Sequence, residues 1–194
     1  LSIAGPVEFL AMGGTTADIT LNVGVTNTAN NSSITFKASR DVVINGSSNV
    51  AFTGAGANTF TVMAGRDLYL NSAINGNSAA GNNPLTVNLY TDVDNTGGGA
   101  ILFNSSASVA SYGGNITLRG GTSDVRTDCA TAKNCIAGYA SNSGADWIGG
   151  NTAAGWSDHA DGITIVSTGS IDAGAGSITI MGKATYFRGV IIYS

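Results

Sequence analysis

Asp158, His159 and Asp161 form the sharpest acid–base group in the chain. A histidine between two carboxylates has the parts of a general base. The same stretch, DHAD, also reads as a polar loop rejoining the ordered chain at Gly162. No GxSxG motif and no paired nucleophile and base accompany it. No catalytic residue is assigned, and a non-enzymatic protein is expected.

Cys129 and Cys135 enclose a short spacer in TDCATAKNCI. Two cysteines at this spacing suggest a local disulfide that pins a loop. A zinc site needs more ligands than His159 adds, and a redox pair would be Cys-x-x-Cys. Asp92-Val93-Asp94-Asn95-Thr96-Gly97 starts like a calcium-binding loop. It fails as one, because Phe103 occupies the position where a bidentate Glu is required. Neither metal nor cofactor is expected.

Arg40-Asp41 recurs as Arg66-Asp67 at the same point of the following repeat. If the two dipeptides lie on successive turns, they stack at ~4.8 Å and each Arg meets a neighbouring carboxylate. That role is to fix the register of one turn on the next. Exposed pairs of this kind add little stability. Tyr139, Trp147 and Trp156 fall in a polar stretch, where aromatics either recognise a sugar or a partner protein or pack against the body of the fold.

The elements that must position these residues announce themselves by repetition. Phe60, Val62, Ala64, Leu68, Leu70 and Ala73 alternate with polar residues. Ile34, Phe36, Ala38, Val42 and Ile44 carry the same pattern one repeat earlier. One repeat later Leu85 and Val87 take the places of Phe60 and Val62, and Asp92 takes that of Asp67. Strands this short cannot bury an apolar face alone, so successive turns must stack on one core. A propeller blade needs about 40 residues and four antiparallel strands. Asn45-Gly46 and Asn75-Gly76 are the hairpin signals such a blade would use. The shorter period instead favours an all-β chain, a right-handed parallel β-helix of about six to eight coils. Coils are expected over residues 1–121 and again over 162–194. Residues 122–161, which hold both cysteines and both tryptophans, form one long loop excursion.

Composition agrees. Only 10% of residues are charged, against roughly a quarter in ordinary domains. The single Glu and three Lys leave few good helix formers, while 28 Gly and 19 Asn supply turns. Net charge is −4 and the basic residues are scattered, so no nucleic-acid footprint exists. No apolar run approaches the roughly 18 residues of a transmembrane span.

The segments GRDLYLNSAI, DVDNTGGGAILF, GGNITLRGG and GSIDAGAGSITIMG together resemble the repeat region of filamentous haemagglutinin-like exoproteins, which leave the cell by two-partner secretion. Asn83-Pro84 is a poor match to the motifs of the domain that opens such proteins, so the likeness is to the shaft. The resemblance implies a secreted or cell-surface protein acting in adhesion, biofilm or contact-dependent interaction. Its partners would be neighbouring coils, copies of itself end to end, or a host or bacterial surface protein or glycan. Two other readings stand beside it: a self-assembling extracellular filament subunit, and a polysaccharide-active β-helix enzyme.

Overall fold

The computed structural model describes residues 1–14, 16–79, 83–93, 99–120, 162–182 and 190–193. These residues form eighteen strands in six rungs of three. Rung 1 holds β1 (Ser2–Ile3), β2 (Val7–Ala11) and β3 (Ile19–Leu21). Rung 2 holds β4 (Val25–Asn27), β5 (Ser33–Ala38) and β6 (Val42–Ile44). Rung 3 holds β7 (Val50–Phe52), β8 (Asn58–Ala64) and β9 (Leu68–Leu70). Rung 4 holds β10 (Ala73–Asn75), β11 (Leu85–Thr91) and β12 (Ile101–Phe103). Rung 5 holds β13 (Ser108–Ala110), β14 (Ile116–Gly120) and β15 (Ile163–Ile165). Rung 6 holds β16 (Ser170–Asp172), β17 (Ile178–Ile180) and β18 (Val190–Ile192).

The first strands of all rungs make one six-stranded sheet, A; the second strands make B, and the third make C. Every pairing among the described residues is parallel. The chain is therefore a three-sided parallel β-solenoid, and the hairpins of a propeller are absent from this part of it. Asn45-Gly46 turns from sheet C to sheet A, and Asn75-Gly76 closes β10 on the way to sheet B. β12 pairs with β15 and β14 with β17, so coils on either side of residues 121–161 share the same sheets.

Alternation along each strand builds the core. β8 and β11 bury every second side chain and leave the others half-exposed. Parallel pairing stacks the buried positions into columns, such as Val7–Ile34–Phe60–Val87–Ile116–Ile178. Phe9, Phe36 and Phe60 contact along the rod with ring centroids 5.1 and 5.5 Å apart, and Phe52 meets Phe60 from sheet A at 6.5 Å. Tilted and edge-on rings at these distances add to the burial of their area.

Two details depart from the sequence reading. Val87, and not Leu85, stacks on Phe60, and Leu89, and not Val87, stacks on Val62. The true register is two positions further along the chain. A shift of two preserves the inward face, so the alternation is the same in either alignment. In sheet A, Ile74 fills the core and Ala73 faces outward.

The corner between sheets A and B carries the GAG and YGG runs because backbones touch there. A Cβ on Gly54 would lie 1.8 Å from the Ala29 carbonyl oxygen, and one on Gly114 would lie 2.1 Å from that of Leu85. Only glycine permits this approach. Asn58 holds the same corner from inside. Its Oδ1 accepts from the Ser32 amide (2.9 Å), while Nδ2 donates to the carbonyls of Gly54 (3.0 Å) and Gly56 (3.2 Å).

Candidate functional site

Arg40-Asp41 and Arg66-Asp67 occupy the corner between sheets B and C, just before β6 and β9. The side chains of residue pairs at this corner run as a ladder along the rod. Arg66 reaches down to Asp41 with Nε–Oδ1 at 2.8 Å and Nη2–Oδ2 at 2.6 Å. Arg40 makes the same forked contact with Asp18 of rung 1, Nε–Oδ1 being 2.7 Å. Each arginine also lies 3.5 Å from the aspartate beside it in its own rung.

The carboxylates serve a second purpose. Asp18 Oδ1 accepts from the Asp41 amide (3.1 Å), Asp41 Oδ1 from the Asp67 amide (3.1 Å), and Asp67 Oδ1 from the Ala100 amide (2.8 Å). Each aspartate thus satisfies a backbone N–H of the next rung at a corner where the strands have ended. Asp41 and Asp67 are buried, at 4% and 6% exposure, rather than lying on the surface as expected from sequence. The pairing Arg uses its planar fork to meet both carboxylate oxygens, the geometry in which guanidinium recognition is strongest.

Asp18 escaped the sequence reading. Its signal was available: it precedes Ile19 and Leu21 as Asp41 precedes Val42 and Ile44, but Ala17 stands where the arginine would be. Asp92, read as the third repeat of the aspartate, is not in the ladder. The residue above Asp67 is Ala100, because the connection from β11 to β12 is longer than its predecessors. The ladder's arginines stop there because Gly99 takes the next place. A Cβ on Gly99 would meet the Arg66 carbonyl oxygen at 2.5 Å and the Asp92 nitrogen at 2.6 Å.

Charge at this corner is spent on holding coils together. The Arg40 guanidinium hydrogen-bonded to Asp18 holds that carboxyl below its usual range, against a smaller upward push from burial, and the Arg40 pKa rises in turn. A carboxylate stabilised in this way is a poor proton acceptor near neutrality. Among the described residues, no group of three or more His, Cys, Asp or Glu could hold a metal ion.

The opposite corner, between C and A, carries asparagines. Asn45 Nδ2 donates to Asn22 Oδ1 at 2.6 Å, and Asn104 Nδ2 donates to the Tyr69 hydroxyl at 2.5 Å. Burial raises the Tyr69 pKa, partly offset by that hydrogen bond. On the outer wall of sheet B, Arg119 lies 4.9 Å over the Tyr90 ring, one rung away. Sequence alone does not reveal these contacts, since they join residues whose separation varies with loop length.

Cys129, Cys135, Tyr139, Trp147, Trp156, Asp158, His159 and Asp161 lie outside the described residues. No protein-family model, curated protein or solved structure matches the chain.

Proposed function

We propose that this chain is a non-enzymatic segment of the β-helical shaft of a secreted bacterial surface protein that acts in adhesion, biofilm or contact-dependent interaction. The observation that carries this reading is the ladder Asp18–Arg40–Asp41–Arg66–Asp67. The charged groups found together on the rod are engaged with each other and with backbone amides of the next rung. Such an arrangement supports a mechanical role, since each rung is locked in register on the last. The likeness of its repeats to filamentous haemagglutinin-like shafts supports the surface location.

The mechanism is that of a spacer. Parallel rungs convert sequence length into reach at ~4.8 Å per turn, and the outer walls present chemistry at fixed intervals. Sheet B shows this: Thr35, Thr61, Asn88 and Thr117 form one outward column, with Lys37, Met63 and Tyr90 beside it.

The test is surface labelling of intact cells of the source bacterium with antibody raised against the 194-residue chain, combined with adhesion assays after deletion of its coding region. Surface label and reduced adherence or biofilm are expected. Label confined to the cell interior, with adherence unchanged, overturns the reading.

A further inference from the structure

We propose that Asn45-Gly46 is a site of spontaneous deamidation, left reactive by the fold, while Asn75-Gly76 is shielded. These are the two Asn-Gly pairs of the chain, and both read Ile-Asn-Gly, so local sequence does not separate them. An asparagine before glycine is open to attack on its side-chain amide by the next backbone nitrogen, because glycine has no Cβ to block the approach. That nitrogen must be able to move, and the rod treats the two pairs differently. Gly46 and Ser47 are exposed at the tip of a turn, which the Ser48 amide closes on the Asn45 carbonyl at 2.9 Å. Among the described residues, the Gly46 amide donates to no backbone carbonyl. The nearest atom to a Cβ built on Gly46 is Asn71 Nδ2, the end of a side chain, at 3.3 Å. Asn75 instead ends β10, paired with Ala51 on one side and Ala110 on the other. The Gly76 amide donates to the Ala110 carbonyl at 2.8 Å. A Cβ there would meet Leu85, Tyr112 and Ala110 at 3.0, 3.2 and 3.3 Å, so the nitrogen cannot turn without parting rungs 4 and 5.

In the reaction a solvent base takes the Gly46 N–H proton, and the nitrogen forms a bond to Asn45 Cγ. The Cγ–Nδ2 bond then breaks, Nδ2 gains a proton from water and leaves as ammonia, and a cyclic imide remains. Water opens the imide at either carbonyl and gives an aspartyl or an isoaspartyl residue. One water is consumed and one ammonia released, with no change of oxidation state. Asn45 Nδ2 is the group that donates to Asn22 Oδ1 at 2.6 Å, joining rungs 1 and 2. Deamidation removes that donor and sets a carboxylate against the Asn22 oxygen. The isoaspartyl product also adds a methylene to the main chain of rung 2. The reaction needs only water and the folded rod, so it stands apart from the surface location proposed above.

The experiment holds the 194-residue chain in warm, mildly alkaline buffer and digests samples at intervals. Mass spectrometry follows the two Asn-Gly peptides, and enzymatic methylation detects isoaspartate. A parallel incubation in denaturing urea removes the fold. In the folded chain Asn45 should react about tenfold or more faster than Asn75, the factor for one retained backbone hydrogen bond. In urea the two rates should converge. Gly46→Ala should slow the reaction at Asn45 and leave Asn75 unchanged. The aged parent should unfold at lower urea than the fresh chain, and aged Gly46→Ala should not. Equal rates in the folded chain overturn the proposal, including no reaction at either site. A preference for Asn45 that persists in urea overturns it too, since the fold would then not set it. An aged parent that unfolds with the fresh chain overturns the effect on rungs 1 and 2.

Discussion

Arg66 Nη2 lies 2.6 Å from Asp41 Oδ2, and the two residues belong to successive rungs. Their contact crosses the boundary between one coil and the next at a corner with no strand to bridge it. Asp41 is the more committed partner, because it also accepts the Asp67 amide.

Asp41→Ala should therefore cost about 2–3 kcal/mol, the range for losing charge-assisted hydrogen bonds to a buried group. Asp41→Asn, whose Oδ1 still accepts the Asp67 amide, should lose roughly half of that. Urea unfolding midpoints of the two variants against the parent measure the difference. Equal losses would show that the amide contact contributes nothing.

Acid should reach the first rung of the ladder at a definable point. Asp18 has a folded pKa below its unfolded value, chiefly through the hydrogen bond from Arg40. Its contribution is fully present above the unfolded value of about 4 and is lost as pH falls through the folded one. Stability of the parent should thus exceed that of Asp18→Asn at neutral pH, and the gap should close as pH falls below about 4. A gap that stays constant through the acid range would refute this role for Asp18.

The corner glycines make a sharper test. Gly54→Ala would drive a methyl group to 1.8 Å from the Ala29 carbonyl oxygen, so one backbone must move. The expected loss is about 1–3 kcal/mol or more. Gly5→Ala, where nothing lies within 4 Å, should be nearly silent. Comparing their thermal midpoints separates steric contact from the general effect of losing glycine.

Much of this rod was legible from period and alternation. Ile34 to Ile44 predicted Phe60 to Leu70 residue for residue, because the stretch from sheet B through sheet C has the same length in rungs 2 and 3 and the inward face repeats every second position. Legibility failed where connections lengthen. Asp92 looked like the next aspartate, yet the extra residues before β12 put Ala100 above Asp67. Asp18 was missed for the opposite reason: its rung has the aspartate but no arginine to mark it. Burial of Asp41 and Asp67 could not be read from residue type, since a charged dipeptide at a turn ordinarily faces water. The asparagines were read as turn residues, which they are. That Asn58 points inward to hold three backbone groups depends on its neighbours Ser32, Gly54 and Gly56, the first of them a full rung away.

Gly99→Arg sets sequence logic against geometry. Sequence logic says it should stabilise: Arg40 and Arg66 each grip the aspartate one rung below, and Asp67 stands one rung below Gly99. The backbone says otherwise. Any side chain at this position begins with a Cβ at 2.5 Å from the Arg66 carbonyl oxygen and 2.6 Å from the Asp92 nitrogen, and neither can yield without moving a rung. The buried Thr91 hydroxyl donates to the Gly99 carbonyl at 3.1 Å and fixes the glycine in place. A forked ion pair with a partly exposed arginine offers less than the ~1–3 kcal/mol that such overpacking costs. Gly99→Arg should therefore unfold at lower urea than the parent, and Gly99→Ala should lose a similar amount, since the clash lies in the Cβ and not in the charge. A rise in the midpoint for Gly99→Arg alone would mean that the rungs can part to admit a third arginine. The ladder would then be limited by sequence history and not by packing.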